Sequence, residues 1–323
     1  MEKLDLKDRK ILYYLDINSR QSFASIGKKV GLHKDSVADR VKKFQDKGII
    51  INFFTKVYGS TLYKGTSFRC YFSFQNITPD IKKEIINYLV ESKYTITVRS
   101  LEGNYDILFF IMTESNSKAY SFWDKLMENY REYFSKKEFH GIYHESTYDY
   151  LFLLDEKDYK KENRKAMYQW YYDEKIEKLN DLDYKIIRLI SQNSRLPAIE
   201  IAKKLNSTAV TITNRIEKLR KLEIIKGFQV NINWPKIGYY IYKVDIELKK
   251  SKELNKIIKY VEENPNLVWY FKSIGYVDLE FGFILNNVYQ LHKIMEDLSI
   301  KFPDTIKNYT YFSVTKTHKV FKY

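Results

Sequence analysis

The chain has almost no cysteine: Cys70 is the single one in 323 residues. An intrachain disulfide and a Cys-based zinc site are therefore excluded, and a reducing compartment suits the composition. Long apolar runs are missing too. No stretch approaches the roughly 18 residues that a membrane-spanning helix needs. The opening Met1-Glu2-Lys3-Leu4-Asp5 has no apolar core of a secretory signal, so the expected location is the cytoplasm. There is no Gly-rich phosphate loop and no Gly-x-Ser-x-Gly nucleophile turn. Histidine is scarce: His33, His292 and His318 stand apart. His140 and His144 are four positions apart in a segment that reads as strand, where that spacing separates them by about 13 Å, so no metal site is expected.

Acidic residues are also in deficit. Lys and Arg number 55 against 41 Asp and Glu, a formal charge of +14. Such a balance points to a polyanionic partner, nucleic acid or an anionic surface. Hydrophobic residues at 44% and aromatics at 16% argue for globular folding, and the length suffices for two to four domains.

What the chain does have is itself, twice. Against an offset of 175, some fifty positions align without a gap. Asp8 meets Asp183, Asn18-Ser19-Arg20 meets Asn193-Ser194-Arg195, Lys28-Lys29 meets Lys203-Lys204, Arg40 meets Arg215 and Phe53 meets Phe228. Each copy opens with three short amphipathic segments. In the first they are centred on Ile11, Leu12 and Leu15, then Phe23, Ile26 and Val30, then Val37, Val41 and Phe44. Two short helices joined by a tight turn, with a third ahead, make a helix-turn-helix. The period then changes to alternation, and β-α-β-β-α-β follows in each half, with helices expected over 79–91 and 117–133 and a last strand over 139–153. The fold class expected is α+β: two copies of a winged helix-turn-helix followed by a ferredoxin-like domain. The boundaries read as 1–56, 57–154, a charged connector at 155–178, 179–232 and 233–323. The connector has no Gly or Pro and is expected to be helical. The two ferredoxin-like sheets are expected to pair within the chain, covering faces that carry Tyr71 and Tyr242.

Leu4-Asp5-Leu6-Lys7-Asp8, Asn18-Ser19-Arg20, Val37 with Arg40-Val41, and Gly48-Ile49-Ile50 resemble the DNA-binding half of the Lrp/AsnC (feast/famine) regulators, and Leu179, Asp183, Ile186-Ile187, Asn193-Ser194-Arg195, Ile212 with Arg215-Ile216, and Ile224-Ile225 carry the pattern again. The trailing domains are similar to that family's RAM domain, and Gly103-Asn104-Tyr105-Asp106 and Gly275-Tyr276-Val277-Asp278 match its Gly-x-x-Asp hairpin. The resemblance implies a double-stranded DNA partner, a small effector such as an amino acid, no catalytic residues and no cofactor. It implies an intramolecular pseudo-dimer where ordinary members dimerise, with larger assemblies by analogy. The sequence departs from the family in three places. His33 and Thr208 stand where it has a capping Ser, Asn206 stands at the Gly31 position, and Glu223 at the Gly48 position.

In a helix-turn-helix the first turns of the recognition helix meet base edges. The outward set is Lys34, Asp35, Ser36, Asp39, Arg40 and Lys43 in one copy. In the other it is Ala209, Val210, Thr211, Asn214, Arg215 and Lys218. Asn can read adenine, Arg guanine or phosphate, and small residues the thymine methyl. One face is charged and the other small and β-branched, so an asymmetric or imperfectly palindromic site is expected. Lys28, Lys29, Lys42, Lys47, Lys203, Lys204, Arg220 and Lys221 are candidates for phosphate. Gly103, Asp106, Gly275 and Asp278 are the effector candidates, against the alternative of plain tight turns. Two competing functions remain: an enzyme similar to the sirohaem decarboxylases, which share the tandem plan, and an effector sensor without DNA. The first is disfavoured because neither hairpin carries a His.

Overall fold

The computed structural model describes residues 2–57, 67–159, 164–171 and 179–320. The first repeat opens with α1 (Leu6–Ile17), α2 (Phe23–Val30), α3 (Lys34–Asp46) and β1 (Ile50–Val57). Local sequence sets these bounds. Asp5 caps α1 and exchanges a reciprocal capping box with Asp8, which satisfies donors that the first turn leaves free. Gly31 ends α2 in the left-handed region at φ 66°. Then come β2 (Ser67–Phe74), α4 (Pro79–Glu91), β3 (Thr95–Gly103), β4 (Ile107–Met112), α5 (Asn116–Tyr130) and β5 (Phe134–Thr147). A short α6 (Glu156–Tyr159) and β6 (Tyr168–Tyr171) lead on. The second repeat is α7 (Asp181–Gln192), α8 (Ala198–Lys204), α9 (Ala209–Lys221), β7 (Ile225–Ile232), β8 (Tyr240–Leu248), α10 (Leu254–Glu262), β9 (Leu267–Ile274), β10 (Leu279–Leu285), α11 (Val288–Lys301) and β11 (Ile306–Val320).

Two expectations are corrected here. The connector is not a continuous helix: only Glu156–Tyr159 is helical among its described residues, and Tyr168–Tyr171 adds a strand to β5. Aromatic Tyr168, Trp170 and Tyr171 favour a pleated, half-buried surface over a solvated helix. The hydroxyl end of Tyr168 lies against Gly227 of β7, where an added Cβ would fall 1.9 Å from its oxygen. Positions 160–163 and 172–178 lie outside the described residues. The last strand of the first half also starts earlier and stops sooner than expected. It ends at Thr147, and Leu151–Leu153 form a 3₁₀ turn that packs into the first helical core.

The repeats do not sit side by side as two closed bodies. β1 and β7 pair with each other, antiparallel, with Phe53 opposite Val230 and Phe54 opposite Gln229. The ferredoxin-like sheets meet at their edges as well: β5 pairs with β9, and β11 with β3. The resulting order β2-β4-β3-β11-β8-β10-β9-β5 returns to β2, so eight strands close a ring and β6 hangs outside it. Intramolecular pairing was expected face to face; closing the ring leaves fewer unpaired strand edges. Alternation then assigns the faces. Cys70, Phe72, Val98, Ile107 and Phe109 turn out to α4 and α5, and Val244, Ile246, Phe281 and Phe283 turn out to α10 and α11. Burial pushes the Cys70 thiol well above its usual range, so it is inert packing.

The opposite face points into the ring and sets charged and polar groups among apolar ones such as Leu108, Phe110 and Phe271. Glu280, with no exposed surface, accepts from Arg69 at 2.5 Å, Tyr71 at 3.0 Å, Ser273 at 2.6 Å, His140 Nδ1 at 3.1 Å, and from Lys243. Arg69 and Tyr71 come from β2, His140 from β5, and Lys243 and Glu280 from the second half. Burial would raise the Glu280 carboxyl, but Lys243 and Arg69 overcome it and hold it well below its ordinary value. Tyr71 is fully enclosed against Tyr105, His140 and Phe312, whereas Tyr242 is only half-buried.

Replacing Glu280 by Gln should leave Arg69 an enclosed cation without its ion pair and Lys243 with Asp245 alone, at 3.2 Å, and cost about 3–5 kcal/mol, because breaking a buried pair is far worse than never building it. Denaturant unfolding measures this, and a loss below about 1 kcal/mol would refute the network's role. Glu223, at φ 57° after α9, occupies a left-handed position that Gly48 fills in the first copy at φ 62°. Glu223→Gly should therefore stabilise the chain by about 1 kcal/mol, read as a raised unfolding midpoint.

Candidate nucleic-acid interface

α3 and α9 each bury one stripe and expose the rest. Val37, Val41 and Phe44 face inward from α3; Ile212, Ile216 and Leu219 do so from α9. Lys34, Asp35, Ser36, Asp39 and Lys43 are exposed on α3, and Val210, Asn214 and Lys218 on α9, Val210 to 70%. Ala209 is half-buried. The caps differ as their chemistry requires. His33 makes no side-chain bond to the first turn of α3, and its ring sits 3.2 Å from Asp35. Thr208 accepts from the Thr211 N–H, and the two Thr hydroxyls are 2.9 Å apart. Thr211 thus serves the cap, and the exposed neighbour the sequence reading passed over is Thr213.

Both arginines of the expected reading set are turned back toward the protein. Arg40 donates to Asp5 at 2.7 Å and Asp8 at 2.5 Å, the two residues of the α1 capping box, and the Asp5 bond leads in raising its pKa. Arg215 points at Asp183, the equivalent residue of α7, across 3.6 Å. Each arginine side chain keeps about a third of its surface open. They brace the recognition helix on the first helix instead of standing free over it. The signal was present in the sequence, since Asp8 and Arg40 recur together as Asp183 and Arg215.

The Asn-Ser-Arg triplets, unassigned from sequence, are where the two helix-turn-helix units touch. Ser19 Oγ and Ser194 Oγ lie 2.6 Å apart. Arg20 donates to the carbonyls of Ser194 at 2.5 Å and Leu196 at 3.1 Å; Arg195 donates to those of Ser19 and, at 3.3 Å, Gln21. Ser19 N–H reaches Phe228 O at 2.8 Å and Ser194 N–H reaches Phe53 O at 3.0 Å. A residue touching its own repeat equivalent lies on an axis of two-fold pseudosymmetry. The two recognition helices are therefore fixed relative to each other by a reciprocal joint. Burial pulls the pKa of both arginines down, and carbonyl acceptors replace the lost water.

The Gly-x-x-Asp hairpins have structural work. Asp106 accepts from the Phe74 N–H at 2.7 Å and Asp278 from the Leu248 N–H at 2.8 Å, each fastening the end of the neighbouring strand. Gly103, at φ 128°, lies under β11, where a Cβ would sit 3.1 Å from Phe312 Cβ and from the Tyr311 carbonyl. Gly275, at φ 145°, would meet the Phe139 carbonyl of β5 at 3.1 Å. Both hairpins are thus seams between the halves. The expected self-contained turn is corrected: each Asp bonds another strand, not its own loop. His140 and His144 are separately committed, to Glu280 and to Ser146 at 2.8 Å. Among the described residues no group of three or more His, Cys, Asp or Glu could hold a metal ion, and no helix is long and apolar enough to cross a membrane.

Arg40→Ala should lower the stability of the first helix-turn-helix by about 1 kcal/mol, the lower end for charge-assisted bonds because the group is a third exposed. Lys34→Ala should leave it unchanged. Denaturant titration of both variants checks the contrast, and equal stability would remove the bracing role.

The model of the AsnC-type helix-turn-helix domain matches residues 4–45 and 179–220. An uncharacterised HTH-type transcriptional regulator of Pyrococcus furiosus is 45% identical over 83 residues, 25% of this chain and 56% of that protein's length. The regulatory protein AsnC of Haemophilus influenzae is 31% identical over 118 residues, 36% of this chain and 79% of its own. An uncharacterised HTH-type regulator of Pyrococcus horikoshii is 31% identical over 133 residues, 41% and 88% of the two chains. The crystal structure of the siroheme decarboxylase NirDL superposes with a TM-score of 0.63 over 97% of this chain and 92% of that one, at 11% identity, a likeness of fold alone. With the domain found twice and its relatives matched over most of their length, the chain belongs to the Lrp/AsnC family of transcriptional regulators, its unit duplicated in tandem.

Proposed function

We propose that the chain is a sequence-specific double-stranded DNA-binding regulator whose two joined units act as an intramolecular pseudo-dimer on one site. The observation that carries this reading is the reciprocal Ser19-Arg20 and Ser194-Arg195 joint, which holds two exposed recognition helices in a two-fold relation. Duplex DNA offers half-sites in the same relation. The helices present unlike faces, Lys34, Asp35, Ser36 and Asp39 against Val210, Thr213 and Asn214, so the preferred site is an imperfect palindrome. Asn214 is the base reader we favour. Lys43 and Lys218 are assigned to phosphate, and Arg40 and Arg215 to positioning. A small effector acting on the ferredoxin-like ring belongs to the same reading.

One observation favours a second reading, an enzyme acting on a tetrapyrrole: the whole-chain likeness to the siroheme decarboxylase fold, together with a ring interior that holds His140, Arg69 and Lys243. A tetrapyrrole absorption band in the purified protein would support it over the regulator.

Selection of genomic fragments by the full chain at low salt tests the first reading, and recovery of no enriched fragment would sink it. On the recovered site, Asn214→Ala should cost about 1–3 kcal/mol and relax one base position. Lys43→Ala should weaken all sequences alike and shallow the salt dependence. The double variant Arg20→Ala, Arg195→Ala should weaken binding although neither side chain touches DNA, because the helices lose their fixed spacing. Unchanged affinity in that variant, by titration at constant salt, would exclude the joint.

A further inference from the structure

A cavity of about 500 Å³ separates the β1–β7 ribbon from the mouth of the eight-stranded ring, within the range of small-molecule sites. Lys56, Arg99 and Trp269 also line a smaller space inside the ring, so the two adjoin. The outer wall is largely apolar and aromatic, with Phe54, Tyr150, Trp234 and Trp269 among its residues. Its charged members are Lys56, Arg99 and Lys316, with no carboxylate among the described lining residues. Inside, the lining holds Lys56, Arg69, Arg99 and Lys243, with Glu145 the one acid among the described lining residues. Gly282 shapes the wall: a Cβ there would lie 2.1 Å from the Trp269 indole, so only glycine lets that ring lie across β10.

Arg99 is the residue out of keeping with the rest. It enters from β3, opposite Leu108 of β4 and Thr317 of β11. Its Nε is enclosed and has no hydrogen-bond partner. Burial, then the neighbouring Arg69, lowers its pKa to about 10, which leaves it cationic at neutral pH. By contrast Arg69 donates to Glu280, Arg20 and Arg195 to carbonyls, and Arg164, whose Nε likewise has no hydrogen-bond partner, to the Glu262 carbonyl at 3.0 Å through its Nη1. Arg99 is half-buried, and a partly desolvated charge with no hydrogen-bond acceptor is costly to keep. A guanidinium is a planar fork that matches a carboxylate, and here it opens onto an apolar chamber.

We propose that this cavity binds an organic carboxylate with an aromatic or branched apolar body, its carboxylate accepting from Arg99 and its body lying against Trp234 and Trp269. Lys56 and Lys316 add a field that favours the anion over its neutral analogue. The ribbon that roofs the cavity runs on directly from α3 and α9, so an occupant lies next to the elements that carry the recognition helices. That consequence rests on the regulator reading; the binding itself does not.

Calorimetric titration of the DNA-free full chain with phenylacetate and isovalerate, each against its neutral amide, tests the site. At least one acid should bind about tenfold or more tightly than its amide. Arg99→Met should abolish that preference while unfolding at the same or a higher temperature, and Arg99→Lys should keep part of it. Should Arg99→Met not fold, Arg99→Gln serves the same comparison. Equal binding of acid and amide, no binding of either acid at millimolar concentration, or a preference that survives Arg99→Met would each overturn the proposal. Because the titration contains no DNA, its failure leaves the DNA reading standing.

Discussion

The contact between Ser19 and Ser194, with the crossed arginines beside it, sets the geometry of everything above the ring. One residue meets its own equivalent 175 positions later, which forces the flanking chains into a two-fold relation. Arg20 and Arg195 then reach across to the opposite turn, each to two carbonyls. The ribbon continues the exchange. Thr55 of β1 donates to the Ile190 carbonyl of α7 at 2.7 Å, and Gln229 of β7 donates to Asp16 of α1 at 2.9 Å. Each helical unit is thus completed by a strand from the other, and Val57 of the first half packs in the core of the second. Neither head can rotate alone without exposing apolar surface and stripping buried polar groups of their partners.

Below the ribbon the logic is reversed, since the two halves meet around charge. Five donors converge on Glu280 from both repeats. A buried cluster of this kind is weak as a source of net stability, because desolvation offsets most of the Coulomb gain. What it does impose is register. A one-residue slip of β10 would turn Glu280 out toward the apolar helices and bring Phe281 in. The Gly103 and Gly275 hairpins enforce the same register at the seams by allowing backbone to approach backbone.

Duplication has left the two copies free to differ where symmetry does not hold them. Asn206 and Glu223 take the left-handed positions that Gly31 and Gly48 occupy in the first copy. Asn tolerates that region; Glu does so at a cost. Thr208 caps its helix and His33 does not. By contrast, Ser19, Arg20 and Phe53 of the reciprocal joint recur as Ser194, Arg195 and Phe228, and the pair that differs, Gln21 and Leu196, takes part through its backbone carbonyls. The side chains that meet across the axis kept their identity, whereas Lys34, Asp35, Ser36 and Asp39 of the first reading face stand opposite Ala209, Val210, Thr211 and Asn214 in the second.

Much of this was legible in the sequence. The offset of 175, the two helical triplets and the β-α-β-β-α-β order are encoded locally, by apolar period and capping residues. They located the helices to within a few positions. Burial of Val37, Val41 and Phe44, and of their equivalents, follows from the same periodicity. What local pattern could not carry was partnership. Whether β1 would pair with its own domain or with β7, whether the sheets would meet by face or by edge, and why Asn-Ser-Arg recurs all depend on contacts between residues some 175 apart, which no short-range period records. The same holds for the side chains at the interface: Arg40 and Arg215 sit on the outward side of their helices, yet a carboxylate one helix away decides where they point. Arg99 is the extreme case, an ordinary strand residue in sequence that only ring closure converts into a half-buried cation whose Nε has no hydrogen-bond partner.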